Sequence, residues 1–369
     1  MRIIFLSKRQ YMQKDVIDDR YGRLYELPNQ LARRGHQVKG ICLSYRHRPD
    51  GIFKHYHIEK GLLVWNSFNT GMLIIPGLSR YFWQTVEIIK QFKPDVLVGC
   101  SDAPHVIITA LLAKRLGIPF FIDLYDNFES FGLSKLPFII PAYRSALQHA
   151  DGVICVSDVL SENVRDRLQC SQVLTLESTI NATQFTPGDK SLARKKLGLL
   201  EQGKIIGVAG SLARNRGINI LYNAFSCLIE NCPDLHLALA GPVDRTCPFP
   251  EHPNVHYLGL LDHQLMCDFY RALDLAAICM INTEFGRYAF PQKAYEIMAC
   301  KTPLLTAALG ALQRTLTTYP QCLYEPENQD DFNQKVLNQL CSPTVIDIAI
   351  PTWKSQAERL EVFMSDLVA

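Results

Sequence analysis

Lys293 and Glu296 stand three residues apart in the run Phe290-Pro291-Gln292-Lys293-Ala294-Tyr295-Glu296-Ile297-Met298-Ala299-Cys300-Lys301-Thr302-Pro303. On a helix, such neighbours project from one region of the surface. A cation beside a carboxylate suits a ligand that carries both phosphate and hydroxyl groups, as a nucleotide does. Pro291 can open that helix, because a first-turn residue needs no intrahelical N–H partner. Ala294, Ile297 and Met298 recur at helical spacing and give it an apolar face. Pro303 stops the element, and Leu304-Leu305-Thr306 reads as a short buried strand. The helix start would add partial positive charge and free N–H groups. The same spacing also describes an ordinary surface ion pair.

A second group of cations lies in Gly210-Ser211-Leu212-Ala213-Arg214-Asn215-Arg216-Gly217. It follows the apolar run Ile205–Ala209 and leads into a helix near Ile218. A strand–loop–helix junction with basic residues can hold a diphosphate. It is not a Gly-x-Gly-x-x-Gly dinucleotide fingerprint. Leu235–Ala240 and Val255–Gly259 read as further strands.

The first half of the chain alternates in the same way. Ile3–Leu6, Val38–Leu43, Pro94–Gly99, Phe120–Asp123 and Val153–Ser157 read as strands. Helices are expected near 21–34, near 106–116 and after the cap Ser157 or Asp158. This rhythm predicts parallel sheets with right-handed crossovers. Ligands of such sheets bind beyond the carboxyl ends of the strands. That edge would hold Ser7, Ser101-Asp102, Asp123 to Asn127 and Ser157. Asp123 and Asp126 could orient hydroxyls of an acceptor, or simply cap and solvate a loop. Three stretches mix basic and aromatic residues: Tyr45-Arg46-His47-Arg48, Lys54-His55-Tyr56-His57 and Arg80-Tyr81-Phe82-Trp83. They fit an acceptor groove, a patch for a membrane surface, or a solvated face.

A length of 369 residues allows two domains of ordinary size, and 48% hydrophobic with 20% charged residues is a globular composition. A net charge of +2 gives no case for a nucleic-acid partner. No run of 18 apolar residues marks a membrane span. Met1–Ser7 turns polar too soon for a signal peptide and reads as a first strand. The 12 cysteines show no Cys-x-x-Cys and no metal-ligand spacing, so no metal is expected. Cys100, Cys155 and Cys279 sit in apolar runs, as reduced core thiols of a cytosolic protein would.

Pro-x-Lys-x-x-Glu-x-Met-Ala, followed by a short spacer and Pro303, resembles the donor-site motif of family 4 glycosyltransferases. The resemblance implies the GT-B fold: two Rossmann-like parallel-sheet α/β domains facing a cleft, with a C-terminal helix crossing back to the first. It divides the chain into an acceptor-binding domain, 1–186, a donor-binding domain, 187–350, and the closing helix, 351–369. Phe185-Thr186-Pro187 is similar to the family's interdomain Phe-x-Pro, and Leu31-Ala32-Arg33-Arg34-Gly35-His36-Gln37-Val38 to the end of its first helix. His36 is then a turn residue.

Glu296 matches the glutamate that holds the donor's ribose, and Arg216 matches a phosphate-binding lysine. Ser211 replaces the family's arginine, and Arg214 is the substitute within the loop. Gly22 keeps one of two glycines beside the donor phosphates, and Arg23 replaces the other. Tyr125 replaces a histidine near the transferred sugar, with Asp126 after it. Gly259 follows the segment whose backbone meets the nucleotide base. A second acid is expected at Tyr288; Glu284 in a lengthened loop, or backbone groups with Lys293, would take its place.

The resemblance implies a retaining hexosyltransferase-type enzyme that uses a nucleotide-diphosphate sugar without a metal or other cofactor. Arg216 and Lys293 would stabilise the departing diphosphate. The acceptor would be a glycan or lipid-linked glycan, in surface polysaccharide or glycoconjugate biosynthesis. A cytoplasmic location with peripheral contact at the inner membrane face is expected. A non-hydrolysing sugar-nucleotide epimerase shares the architecture, but it needs acid/base residues around the sugar that the sequence does not display. A catalytically weakened scaffold subunit is the other alternative, given the substitutions at Ser211, Tyr125 and Tyr288.

Overall fold

The computed structural model describes residues 1–11, 14–46, 48–56, 61–71, 74–130, 136–170 and 172–368. His47 and His57, parts of two of the basic–aromatic stretches, lie outside them. The chain divides into two compact units, Met1–Thr179 with Pro351–Ala369, and Ile180–Ile350. The division falls seven residues before the one read from the sequence. The reason is packing: Phe185 is 2% exposed, with its ring 5.5 Å from that of His263 and 6.3 Å from that of Tyr270.

The first unit's main sheet has eight strands: β1 Arg2–Lys8, β2 Gln37–Ser44, β3 Gly51–Tyr56, β4 Leu62–Asn69, β5 Val96–Cys100, β6 Phe120–Leu124, β7 Gly152–Cys155 and β8 Val173–Thr175. Their order is β8-β7-β6-β5-β1-β2-β4-β3. All pairings are parallel except that of the edge strand β3 with β4. The central strands are almost continuous apolar runs, as expected of a sheet covered on both faces. The closing helix Trp353–Val368 belongs to this unit: Trp353, Ala357, Leu360 and Met364 enter the core with Leu31, Val38 and Trp65. Arg34 pairs with Glu358 and Glu361 of that helix, and His36 Nε2 lies 3.0 Å from Glu361, so His36 fastens a turn.

The second unit has six parallel strands: β9 Lys204–Ala209, β10 Leu235–Ala240, β11 Val255–Tyr257, β12 Leu275–Ile278, β13 Leu304–Ala307 and β14 Leu323–Tyr324. Their order is β11-β10-β9-β12-β13-β14. The order reverses around β9, so the loop after β9 is where such a sheet opens to a ligand. No described helix is long and apolar enough to cross a membrane.

Candidate functional site

The site forms at the carboxyl end of β9 in the second unit. Gly210, the next residue, has a φ of 120°. Only glycine adopts this conformation freely, and here it also leaves room: a Cβ on Gly210 would lie 2.8 Å from Lys293 Nζ. That ammonium donates to the Ala209 carbonyl at 2.8 Å. Gly241, at the end of β10, closes the other side; a Cβ there would come within 2.0 Å of the Gly210 carbonyl oxygen. Its N–H donates to Gly259 at 2.7 Å, so Gly210, Gly241 and Gly259 are stacked backbone to backbone.

Lys293 and Glu296 begin the helix Lys293–Ala299. Its start differs from the sequence expectation. The N–H of Ala294 donates to Pro291 and that of Tyr295 to Gln292, a tightened first turn that consumes two of the donors expected to be free. The helix is seven residues long, so positive charge at this site comes mainly from side chains.

Glu296 is 5% exposed. Its carboxylate accepts from the Tyr270 hydroxyl at 3.1 Å and from the Gln292 amide at 3.4 Å. Burial pushes its pKa up to about 7, against the hydrogen bond from Tyr270 and the charge of Lys293. Lys293 is half-buried and held below the usual lysine range, chiefly by burial, with Arg216 adding to the effect and Glu296 opposing it. Lys293 therefore feels the charge of both Glu296 and Arg216. Each has its own neutral partners: Glu296 rests on a phenol and an amide, and Lys293 rests on a carbonyl.

Arg216 ends the 3-10 turn Arg214–Arg216, and its guanidinium carbon lies 3.9 Å from the centre of the Phe285 ring. Such stacking orients the guanidinium. Arg214 opens the same turn and is exposed, as is Ser211. Thr283–Tyr288, read from the sequence as a loop, is the short helix Glu284–Tyr288, with Thr283 Oγ1 accepting from Gly286 at 3.3 Å. Glu284 is exposed at its first turn. Five residues are too few to show a periodicity, which is why the pattern missed it. Tyr270, Gln292 and Phe285 were also missed as site residues. Tyr270 lies 26 residues from Glu296, and nothing in local spacing links them.

The remaining predicted residues lie in the first unit. Gly22 caps the helix Arg23–Arg33 with a φ of 73°. Arg23 is buried, and its Nε and Nη2 donate to Asp123 at 2.7–3.0 Å while Nη1 reaches the Leu176 carbonyl. Asp123, expected to orient acceptor hydroxyls, is thus a core ion-pair partner at 3% exposure. Asp126 stays half-buried, accepts from the Asn127 N–H at 2.8 Å and faces the charge of Lys8. Tyr125 donates to the Ser101 carbonyl at 2.9 Å. Asp102 caps the helix Ala103–Leu116 and lies 2.6 Å from His105 Nδ1. Burial raises its carboxyl, but the His105 ring and N–H, with Lys8, outweigh this and hold it low.

The basic–aromatic stretches do not form one patch among the described residues. Tyr81 is buried, with its hydroxyl donating to Ile41 at 3.3 Å, and His55 is buried against Tyr25. Arg80 is tied to Asp50 and to the Asn69 carbonyl. No group of three His, Cys, Asp or Glu among the described residues could hold a metal ion, and the cysteines are free thiols.

Residues 23–175 match Glycosyltransferase Family 4, and residues 203–342 match Glycosyl transferases group 1. Each of the two units thus carries its own family match. The chain belongs to the family 4 glycosyltransferases. A D-inositol 3-phosphate glycosyltransferase of Actinosynnema mirum is 26% identical to this family 4 chain over 187 residues, covering 46% of this chain and 44% of that protein. The chain spans about half the length of the curated relatives it matches. Sucrose-phosphate synthase from Thermosynechococcus elongatus superposes with a TM-score of 0.73 at 18% identity, covering 100% of this chain and 96% of the other. The Anabaena protein HepE, in complex with UDP-glucose, superposes at 0.66 and 15% identity, covering 100% and 98%. These likenesses give the GT-B fold.

Proposed function

We propose that this family 4 chain is a retaining glycosyltransferase, moving a sugar from a nucleoside-diphosphate sugar to a hydroxyl of a glycan or glycolipid acceptor. The observation that carries the reading is the Lys293 ammonium seated on Ala209 beside Gly210 at the end of β9, with Glu296 on the same helix and Arg216 in the turn that follows β9. A diphosphate laid over Gly210 would find the Lys293 ammonium and the Arg216 guanidinium. As the glycosidic bond breaks, charge gathers on that diphosphate, and the two cations stabilise it. Glu296 would accept the ribose hydroxyls in place of its present bonds from Tyr270 and Gln292, fixing the donor's orientation. In a retaining reaction without an enzyme nucleophile, the acceptor hydroxyl attacks from the face the diphosphate leaves, and a donor phosphate oxygen takes its proton. UDP-glucose is the first donor to try, because HepE was solved with it.

Arg214, Ser211, Gly259 and Glu284 complete the proposed donor surroundings, while Gly22 and Asp126 are assigned to the first unit's part of the reaction. A role in surface polysaccharide or glycoconjugate synthesis in the cytoplasm, at the inner membrane face, belongs to the same reading. The test is to incubate the protein with nucleotide sugars and an acceptor array. Nucleoside diphosphate released only when acceptor is present supports transfer. Interconversion of sugars without release supports an epimerase and contradicts it.

A further inference from the structure

A cavity of about 510 Å³ opens in the first unit between the edge hairpin β3–β4 and the helix Ile74–Phe92. This volume lies within the range of ligand pockets. Trp83 and Glu87 project from one face of the helix, while Tyr81, Thr85 and Ile89 bury the opposite face. Ile52 and Asn66 stand directly across from each other on β3 and β4, with Phe68 beside them. Trp83 is 53% and Ile52 66% exposed, so two large apolar side chains on facing elements both meet solvent at the cavity. Asn66 is 8% exposed, and its Oδ1 is buried without a hydrogen-bond partner.

These features restrict the ligand. An acyl chain would seal an unsatisfied amide oxygen under hydrocarbon, a desolvation cost with nothing returned. An anion would meet the carboxylates of Asp50 and Glu87 at the rim, whose cationic partners Arg80 and Lys90 are already engaged at 3.0 and 3.2 Å. A cation would meet those same partners. What fits is neutral, offers O–H donors to Asn66, Asp50 and Glu87, and presents an apolar face to an indole. A pyranose ring has all three properties.

We propose that this cavity is a saccharide-binding site, which holds a neutral glycan. The choice of a glycan among neutral polyols rests on the transferase reading; the cavity's demand for a neutral donor-bearing ring does not. Trp83 supplies the stacking surface, held by the Arg115 guanidinium 5.3 Å from its ring centre. Asn66 supplies the buried acceptor, and Asp50 and Glu87 orient further hydroxyls.

The test is equilibrium binding of an array of neutral mono-, di- and trisaccharides to the whole protein, read by tryptophan fluorescence and by protein-observed NMR. At least one should bind in the millimolar range or tighter, up to about 10 mM. Trp83→Ala, at an exposed position, should weaken that binding at least tenfold. Asn66→Leu should weaken it several-fold, and Trp83→Ala carries the test alone if Asn66→Leu does not fold. UDP binding, measured in the same variants, should be unchanged, so failure of the donor reading is seen separately. The proposal is overturned if no saccharide in the array binds, if binding survives Trp83→Ala, or if a decyl chain binds with the same dependence on Trp83.

Discussion

The carboxyl edges of the two sheets hold similar residue types and treat their charges in opposite ways. In the first unit, Arg23 and Asp123 cancel each other in the core, and Asp102 is tied to His105. In the second, Glu296 and Lys293 are buried or half-buried on neutral partners, and both are pushed away from their charged forms. A buried ion pair stabilises a fold's specificity while offering little to a ligand. A carboxyl displaced to near neutrality is instead poised to exchange partners. The contrast therefore separates structure from proposed function by energetics, without reference to motif.

The largest effect should come from breaking the first unit's pair. Asp123→Ala leaves the Arg23 guanidinium buried and should cost about 3–5 kcal/mol in denaturant unfolding. A loss under about 1 kcal/mol would mean the pair is not what holds this edge.

Next is the pH dependence carried by Glu296. Its carboxyl binds a proton more tightly folded, at about 7, than at the ordinary value of 4.5. The folded state thus holds more protons between those values, and stability falls as pH rises through that window, by about 3 kcal/mol. Glu296→Gln should remove this part of the slope and leave the ligand-free protein more stable than wild type at pH 8. Equal slopes in the two proteins would contradict the assignment.

Removing the ammonium should then weaken the donor interaction without harming the fold. Lys293→Ala is expected to lower turnover about 100-fold. Its thermal midpoint should not fall, since burying the ammonium is itself unfavourable. The smallest effect belongs to the exposed pairs that fasten the closing helix. Arg34→Ala should cost at most about 1 kcal/mol, and less in high salt.

Much of the fold could be read from the chain, because its strands are short apolar runs between helical patterns. The spacing within Pro291–Pro303 likewise showed that Lys293 and Glu296 share a helix. What could not be read was pairing at a distance. Arg23 meets Asp123 across 100 residues, so a position that resembled a lost glycine became a core cation. The hairpin β3–β4 and the helix Ile74–Phe92 were obscured by mixed basic, aromatic and apolar residues, whose separate roles appear only once Tyr81 is buried and Trp83 exposed. Tyr270 and Phe285 set the orientation of Glu296 and Arg216 from other elements, and no local period encodes such a contact.

The most direct test is calorimetric titration of wild type and Glu296→Ala with UDP, ADP and GDP. One nucleotide should bind wild type, with affinity rising as pH passes upward through about 7. In Glu296→Ala that nucleotide should bind at least tenfold more weakly, with the pH dependence gone. Unchanged affinity in the variant would contradict the placement of the ribose at Glu296, and with it the proposed donor site.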